Sequence, residues 1–85
     1  MKQFDYTIKE ENGIHARPAG LLVREAQKFS SDIQIICGDK TADPKRLFSV
    51  MGAGIKKGNL ITVTASGDDE AAAAESLEKF IRANL

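Results

Sequence analysis

The stretch LITVTASGDDEAAAAESLEKFIRANL, residues 60–85, changes its hydrophobic period halfway along. From Leu60 to Ser66 polar and apolar residues alternate, which puts Ile61, Val63 and Ala65 on one side of a strand. Gly67 ends the alternation. Asp68, Asp69 and Glu70 then open a helix at the end where the backbone dipole favours negative charge, and Lys79 and Arg82 suit its other end. Glu75 with Lys79 and Glu78 with Arg82 are i, i+4 pairs in the more favourable order. Ala74, Leu77, Phe80 and Ile81 form the expected core stripe.

Upstream the same two periods recur. Phe4, Tyr6 and Ile8 alternate with polar residues as a half-buried strand that Glu11-Asn12-Gly13 breaks. Ala19, Leu22, Val23 and Ala26 are spaced i, i+3, i+4, i+7, an amphipathic helix closing around Phe29. DIQIIC (32–37) is rich in β-branched residues, and Gly38-Asp39 suits a two-residue hairpin turn into a short strand near Lys40 to Ala42. Pro44 stops that strand, and KRLFSVMG (45–52) is long enough for two helical turns ended by Gly52. The order is β-α-β-β-α-β-α. Half-apolar strands with amphipathic helices predict an α+β fold, a four-stranded antiparallel sheet with three helices packed on one face.

Composition narrows the function. At 85 residues there is room for one core, so residues 1–85 are expected to form a single domain. Twelve basic and twelve acidic residues cancel, which gives no chain-wide attraction to nucleic acid or anionic membrane. One cysteine, Cys37, cannot form an internal disulfide and fits a reducing compartment. No segment reaches the ~20 apolar residues of a membrane span, and MKQFDYTIK lacks the apolar core of a signal peptide. A cytoplasmic location is expected.

The chemistry concentrates in GIHARPAG, residues 13–20, which holds the single histidine. Proline is tolerated in a first helical turn, where the N–H it lacks would be unpaired in any case. With Pro18 there, His15 falls at or beside the N-cap, and the Ala16 and Arg17 amides point out of the helix without intrahelical partners. Free amides and the dipole make an anion site, and the Arg17 guanidinium suits phosphate oxygens. A neutral imidazole beside such a site is placed to attack a phosphoryl group. An isolated histidine at a helix end with an arginine nearby is more often structural. A metal set is not available from one His and one distant Cys, and no Ser or Cys lies in a nucleophile-elbow context.

Two groups of residues fall outside the core pattern. Arg17, Gly20, Leu21 and Arg24 make a second stripe on the first helix, with Leu21 as an apolar residue that the core does not claim. Leu47, Phe48, Val50 and Met51 cannot all face inward from two turns of helix. Burying Val50 leaves Leu47, Phe48 and Met51 at least partly exposed, as a protein-docking patch with Lys45 and Arg46 as a basic rim favouring an acidic partner.

On GIHARPAG (13–20), the KxLFxxM segment (45–51) and ITVTASGDDE (61–70), the chain closely resembles, end to end, the HPr family of histidine-containing phosphocarriers of the bacterial phosphotransferase system. The resemblance implies an open-faced β-sandwich. It also implies that His15 accepts a phosphoryl group on Nδ1 from phospho-enzyme I, originating from phosphoenolpyruvate, and passes it to IIA components of sugar permeases. By the same resemblance Arg17 helps to neutralise the phosphate. Such a protein is a carrier with no turnover of its own and no cofactor, and it is expected to act as a monomer. Many Gram-positive members carry a regulatory serine just before the Leu-Phe or Ile-Met pair; here that position is Arg46. No regulatory serine is therefore expected, and Ser49, three residues on, reads as a solvent-facing polar residue.

Two other classes remain in view. A regulatory module would keep the fold and the patch and act by binding, although retention of His15 and Arg17 favours transfer. An RNA-binding module would need stacked aromatics and a basic face, whereas this chain has five aromatics and balanced charge.

Overall fold

A computed structural model describes residues 1–85. Its elements, in chain order, are β1 (Lys2–Thr7), α1 (Ala16–Ala26), β2 (Asp32–Cys37), β3 (Lys40–Ala42), α2 (Leu47–Gly52), β4 (Leu60–Ser66) and α3 (Glu70–Asn84). The strands form one sheet in the order β1-β4-β2-β3, antiparallel throughout. The last strand to be made thus sits between the first two, and the sheet closes only when residues 60–66 arrive.

Register decides which side is core. Phe4 pairs with Val63, Val63 with Ile35, and Ile35 with Ala42, so one row of apolar residues crosses all four strands. The next row, Asp5, Thr62, Ile36 and Thr41, lies on the opposite face, where the Thr62 hydroxyl donates to the Asp5 carboxylate at 2.7 Å. Period-2 alternation makes these two faces chemically different. The helices cover the apolar one: α3 packs on β1 and β4, α2 on β3, and α1 against both other helices. The open-faced α+β sandwich predicted from the sequence is the fold observed.

The β2–β3 connection is the two-residue turn expected. Cys37 pairs with Lys40, and Gly38 between them has φ 61°, the positive value required at the first central position of a type II′ turn. The core joins the buried faces of α1 (Ala19, Leu22, Val23, Ala26) to Val50 of α2 and to the inner sheet rows.

Along α3 the buried residues are Ala73, Leu77 and Ile81, followed by Leu85. Phe80 packs partly buried at the margin of this stripe, and Ala74, expected in it, is only half-buried. A 3.6 period lets either the third or the fourth residue before Leu77 face inward. Both are alanine, so the sequence pattern alone did not distinguish them.

The start of α3 also differs from a simple cap. Asp69 occupies the N-cap position, but its carboxylate makes no cap bond. It accepts instead from the backbone N–H groups of Ser30 and Ser31, at 2.9 and 3.0 Å, and from the Ser31 hydroxyl. These bonds hold its carboxyl below the usual carboxylate range, the Ser31 hydroxyl contributing most and the Ser30 amide next. The helix dipole is served by Glu70, whose side chain accepts from the Gly67 amide at 3.2 Å.

Candidate functional site

The segment between β1 and α1 is fixed from several sides. The Ile8 amide donates to the Asn59 carbonyl at 2.9 Å, and the Lys9 and Glu10 amides both donate to the Leu85 carbonyl at 2.6 Å. Glu10 to Gly13 then form a turn closed by the Gly13 N–H on the Glu10 carbonyl at 2.9 Å. Ile14 is buried, and its N–H donates to the Ile55 carbonyl at 3.0 Å. The loop is therefore anchored on both sides up to the residue before the histidine.

His15 is the N-cap of α1, in extended conformation with φ −102° and ψ −177°. Its carbonyl accepts the first intrahelical bond, from Ala19 at 2.9 Å. The Ala16 and Arg17 amides, both at exposed residues, have no backbone or side-chain acceptor, and the buried Pro18 has no N–H to satisfy. Its ring fixes the helical φ of the first turn. His15, Arg17, Pro18 and Leu21 line a cleft of ≈ 330 Å³, which Glu10, Asn12 and Asn84 complete. The Arg17 guanidinium takes part in none of the five ion pairs of the structure. His15 and an Arg17 without an ion-pair partner thus line one open concavity at the helix end where the Ala16 and Arg17 amides are left free. Such a set can hold a small anion of high charge while leaving it reachable from outside.

Glu10, Asn12 and Asn84 were not singled out in the sequence. The first two stand within five residues of His15 and could have been weighed as its neighbours. Asn84 comes from the far end of the chain, next to Leu85, whose carbonyl accepts the Lys9 and Glu10 amides.

The expected docking residues lie on adjoining helices. Gln27, just past the end of α1, donates through its side-chain amide to the Lys45 carbonyl at 3.1 Å, tying α1 to the segment that leads into α2. Val50 is fully buried, whereas Phe48 is 86% exposed and Leu21, Leu47 and Met51 are each about 40% exposed. Gly20 is half-buried with open space where a side chain would project, and Arg24 and Arg46 are exposed and make no ion pair.

Two details of this region depart from expectation. Lys45 does not rim the patch: it is half-buried, and its ammonium donates to the Ser31 carbonyl at 2.8 Å, leaving Arg46 as the basic residue there. Ser49 is half-buried rather than solvent-facing, because its hydroxyl accepts from the Asp43 amide at 2.8 Å and so supports the turn before α2. Arg46 occupies the N-cap of α2 and provides no side-chain cap.

The comparisons with known proteins agree with this fold. Residues 2–83 match the family described as "PTS HPr component phosphorylation site". The chain is 48% identical over 81 residues to the phosphocarrier protein HPr of Buchnera aphidicola subsp. Baizongia pistaciae, covering 95% of each. Among solved structures, HPr-C-His from Thermoanaerobacter tengcongensis superposes with a TM-score of 0.92 at 38% identity, over 98% of this chain and 93% of that one. The histidine-containing phosphocarrier protein of a Mycoplasma does so with a TM-score of 0.91 at 39% identity, over 93% and 90%. Sequence, fold and the composition of the His15 cleft lead to one conclusion: this chain belongs to the HPr family, the phosphocarrier proteins of the phosphotransferase system.

Proposed function

We propose that His15 is the residue that carries the phosphoryl group, taking it from phospho-enzyme I and giving it to IIA components of sugar permeases. The observation that carries this reading is that His15 and Arg17 line one open cleft at the start of α1, where the Ala16 and Arg17 amides have no acceptor. In the acceptor step a ring-nitrogen lone pair attacks phosphorus. The donor's bond to phosphorus breaks, and the donor leaves with its electron pair. The proton on the other ring nitrogen stays in place, and onward transfer is the same step reversed. Arg17 and the amides offset the charge of the transferred group, and their fixed orientation means little has to reorganise during transfer. An open cleft suits a carrier, since donor and acceptor must each reach phosphorus in turn.

Leu21, Leu47, Phe48 and Met51, with Gly20 beside them and Arg17, Arg24 and Arg46 as positive charges, form the face on which both partners dock. The arginines favour acidic partners and speed encounter. In this reading residues 1–85 work as one domain, as a monomer without turnover of its own. The unpaired Cys37 fits the reducing environment of the cytoplasm, and no helix is long and apolar enough to cross a membrane.

The test is phosphorylation by phosphoenolpyruvate and enzyme I. One acid-labile phosphate per chain is expected in the wild type and none in His15→Ala. Stoichiometric labelling of His15→Ala would remove His15 from the role.

A further inference from the structure

The cleft that holds His15 and Arg17 also holds one carboxylate, that of Glu10. A carboxylate is a poor choice for a wall that receives an anion, yet this one is well placed. Glu10 is half-buried and held through its backbone, with its N–H on Leu85 and its carbonyl under Gly13. Its side chain accepts only a long bond from the Asn12 amide, at 3.4 Å, and it has no ion-pair partner. The fold thus draws little from this charge. Arg17, the only cation lining the cleft, has to answer both Glu10 and whatever anion His15 acquires.

We propose that Glu10 sets the transfer potential of the phosphoryl group on His15, by opposing the negative charge that phosphorylation adds to the cleft. This deepens the reading of His15 as the carrier and rests on it. In the acceptor step the N–P bond forms at His15 as the donor departs with the electron pair, and no charge leaves the cleft. Net negative charge therefore rises beside a fixed carboxylate. The phosphorylated state is raised in free energy relative to the unphosphorylated one, and onward transfer becomes more favourable. Two charges on the lining of one open, wet cleft interact at high effective dielectric. The effect is therefore a several-fold change in equilibrium.

The experiment measures how the phosphoryl group partitions at equilibrium between enzyme I and the full chain, in wild type, Glu10→Gln and Glu11→Gln. Glutamine keeps the shape and removes the charge. Glu11 is the control, an exposed carboxylate outside the cleft that pairs with Lys57 at 3.0 Å. At low salt Glu10→Gln is expected to shift the partition toward the phosphorylated chain by about fivefold, a scale set by Coulomb repulsion at high dielectric. The shift should shrink to less than about twofold near 1 M salt, where charges are screened within about 3 Å. Glu11→Gln should leave the partition unchanged. A fully labelled Glu10→Gln with the wild-type partition overturns the proposal. So does a shift that salt does not touch, since that would mark a structural effect. Neither result affects the His15 assignment, which fails only if His15→Ala is labelled.

Discussion

Gly13 lies against the backbone of Ile55 with φ 64°, so close that a Cβ at Gly13 would come within 2.7 Å of the Lys56 Cα and closer still to the Ile55 carbonyl oxygen. That oxygen also accepts the Ile14 amide, two residues before the free Ala16 amide at the start of α1. Stability and site geometry meet at this contact. Gly13→Ala is expected to lose about 1–3 kcal/mol, because it combines a positive φ with backbone overlap that no side chain can relieve. Thermal unfolding should register this as about 4–8 °C per kcal/mol. Phosphorylation by enzyme I should slow at temperatures where the variant is still folded, since Ile14 and therefore His15 must shift.

Asp69 gives the acid limb of stability a specific source. Its carboxyl is held below the usual range by the Ser31 hydroxyl and the Ser30 amide, so the folded state favours the ionised form more than the unfolded state does. Its contribution is full above the unfolded-state titration, near about pH 4, and is lost as pH falls through the lower folded-state value. Asp69→Asn should lower the unfolding temperature at pH 7 and flatten the acid-side loss that the wild type shows. Unfolding curves between pH 7 and pH 2.5 would check this; an unchanged acid limb in the variant would remove Asp69 as its source.

Gly20 offers a separation of fold from function. It sits inside α1, where glycine is unfavourable, and a Cβ there would meet no heavy atom within 4 Å. Gly20→Ala should therefore raise stability by about 0.5–1 kcal/mol. If partners lie close on this helix, the same substitution should weaken transfer while the unfolding temperature rises. Denaturant titration and transfer kinetics on one sample would read both.

How far the sequence could be read depended on whether the deciding signal was local. The switch of period at Gly67 marked β4 and α3, and Pro18 located the start of α1 closely enough to put His15 at its N-cap. Val50 inward with Leu47, Phe48 and Met51 outward followed from the limited face of a two-turn helix. What escaped was set by contacts between distant segments. Asp69 could be read as a helix opener, but nothing local shows that its carboxylate would cross to Ser30 and Ser31. Lys45 was turned inward by the Ser31 carbonyl, and Asn84 reached the cleft through the packing of α3 and the bonds from Lys9 and Glu10 to Leu85.

Phe48 makes the sharpest test of the docking face. At 86% exposure it contributes little to the core, so Phe48→Ala should leave the unfolding temperature within about 2–4 °C, as most exposed substitutions lie within about ±0.5 kcal/mol. Burying a phenylalanine side chain in an interface contributes about 1.5–3 kcal/mol, which corresponds to a loss of about 10- to 140-fold in partner affinity when it is removed. The loss should appear mainly in dissociation, because an uncharged side chain does not steer encounter. Arg24→Gln on the neighbouring helix should show the opposite pattern, a slower association that differs from the wild type less as salt is raised. Surface-binding kinetics against enzyme I and a IIA component would separate the two. Equal affinity of Phe48→Ala and wild type for both partners would place the docking face elsewhere on the molecule.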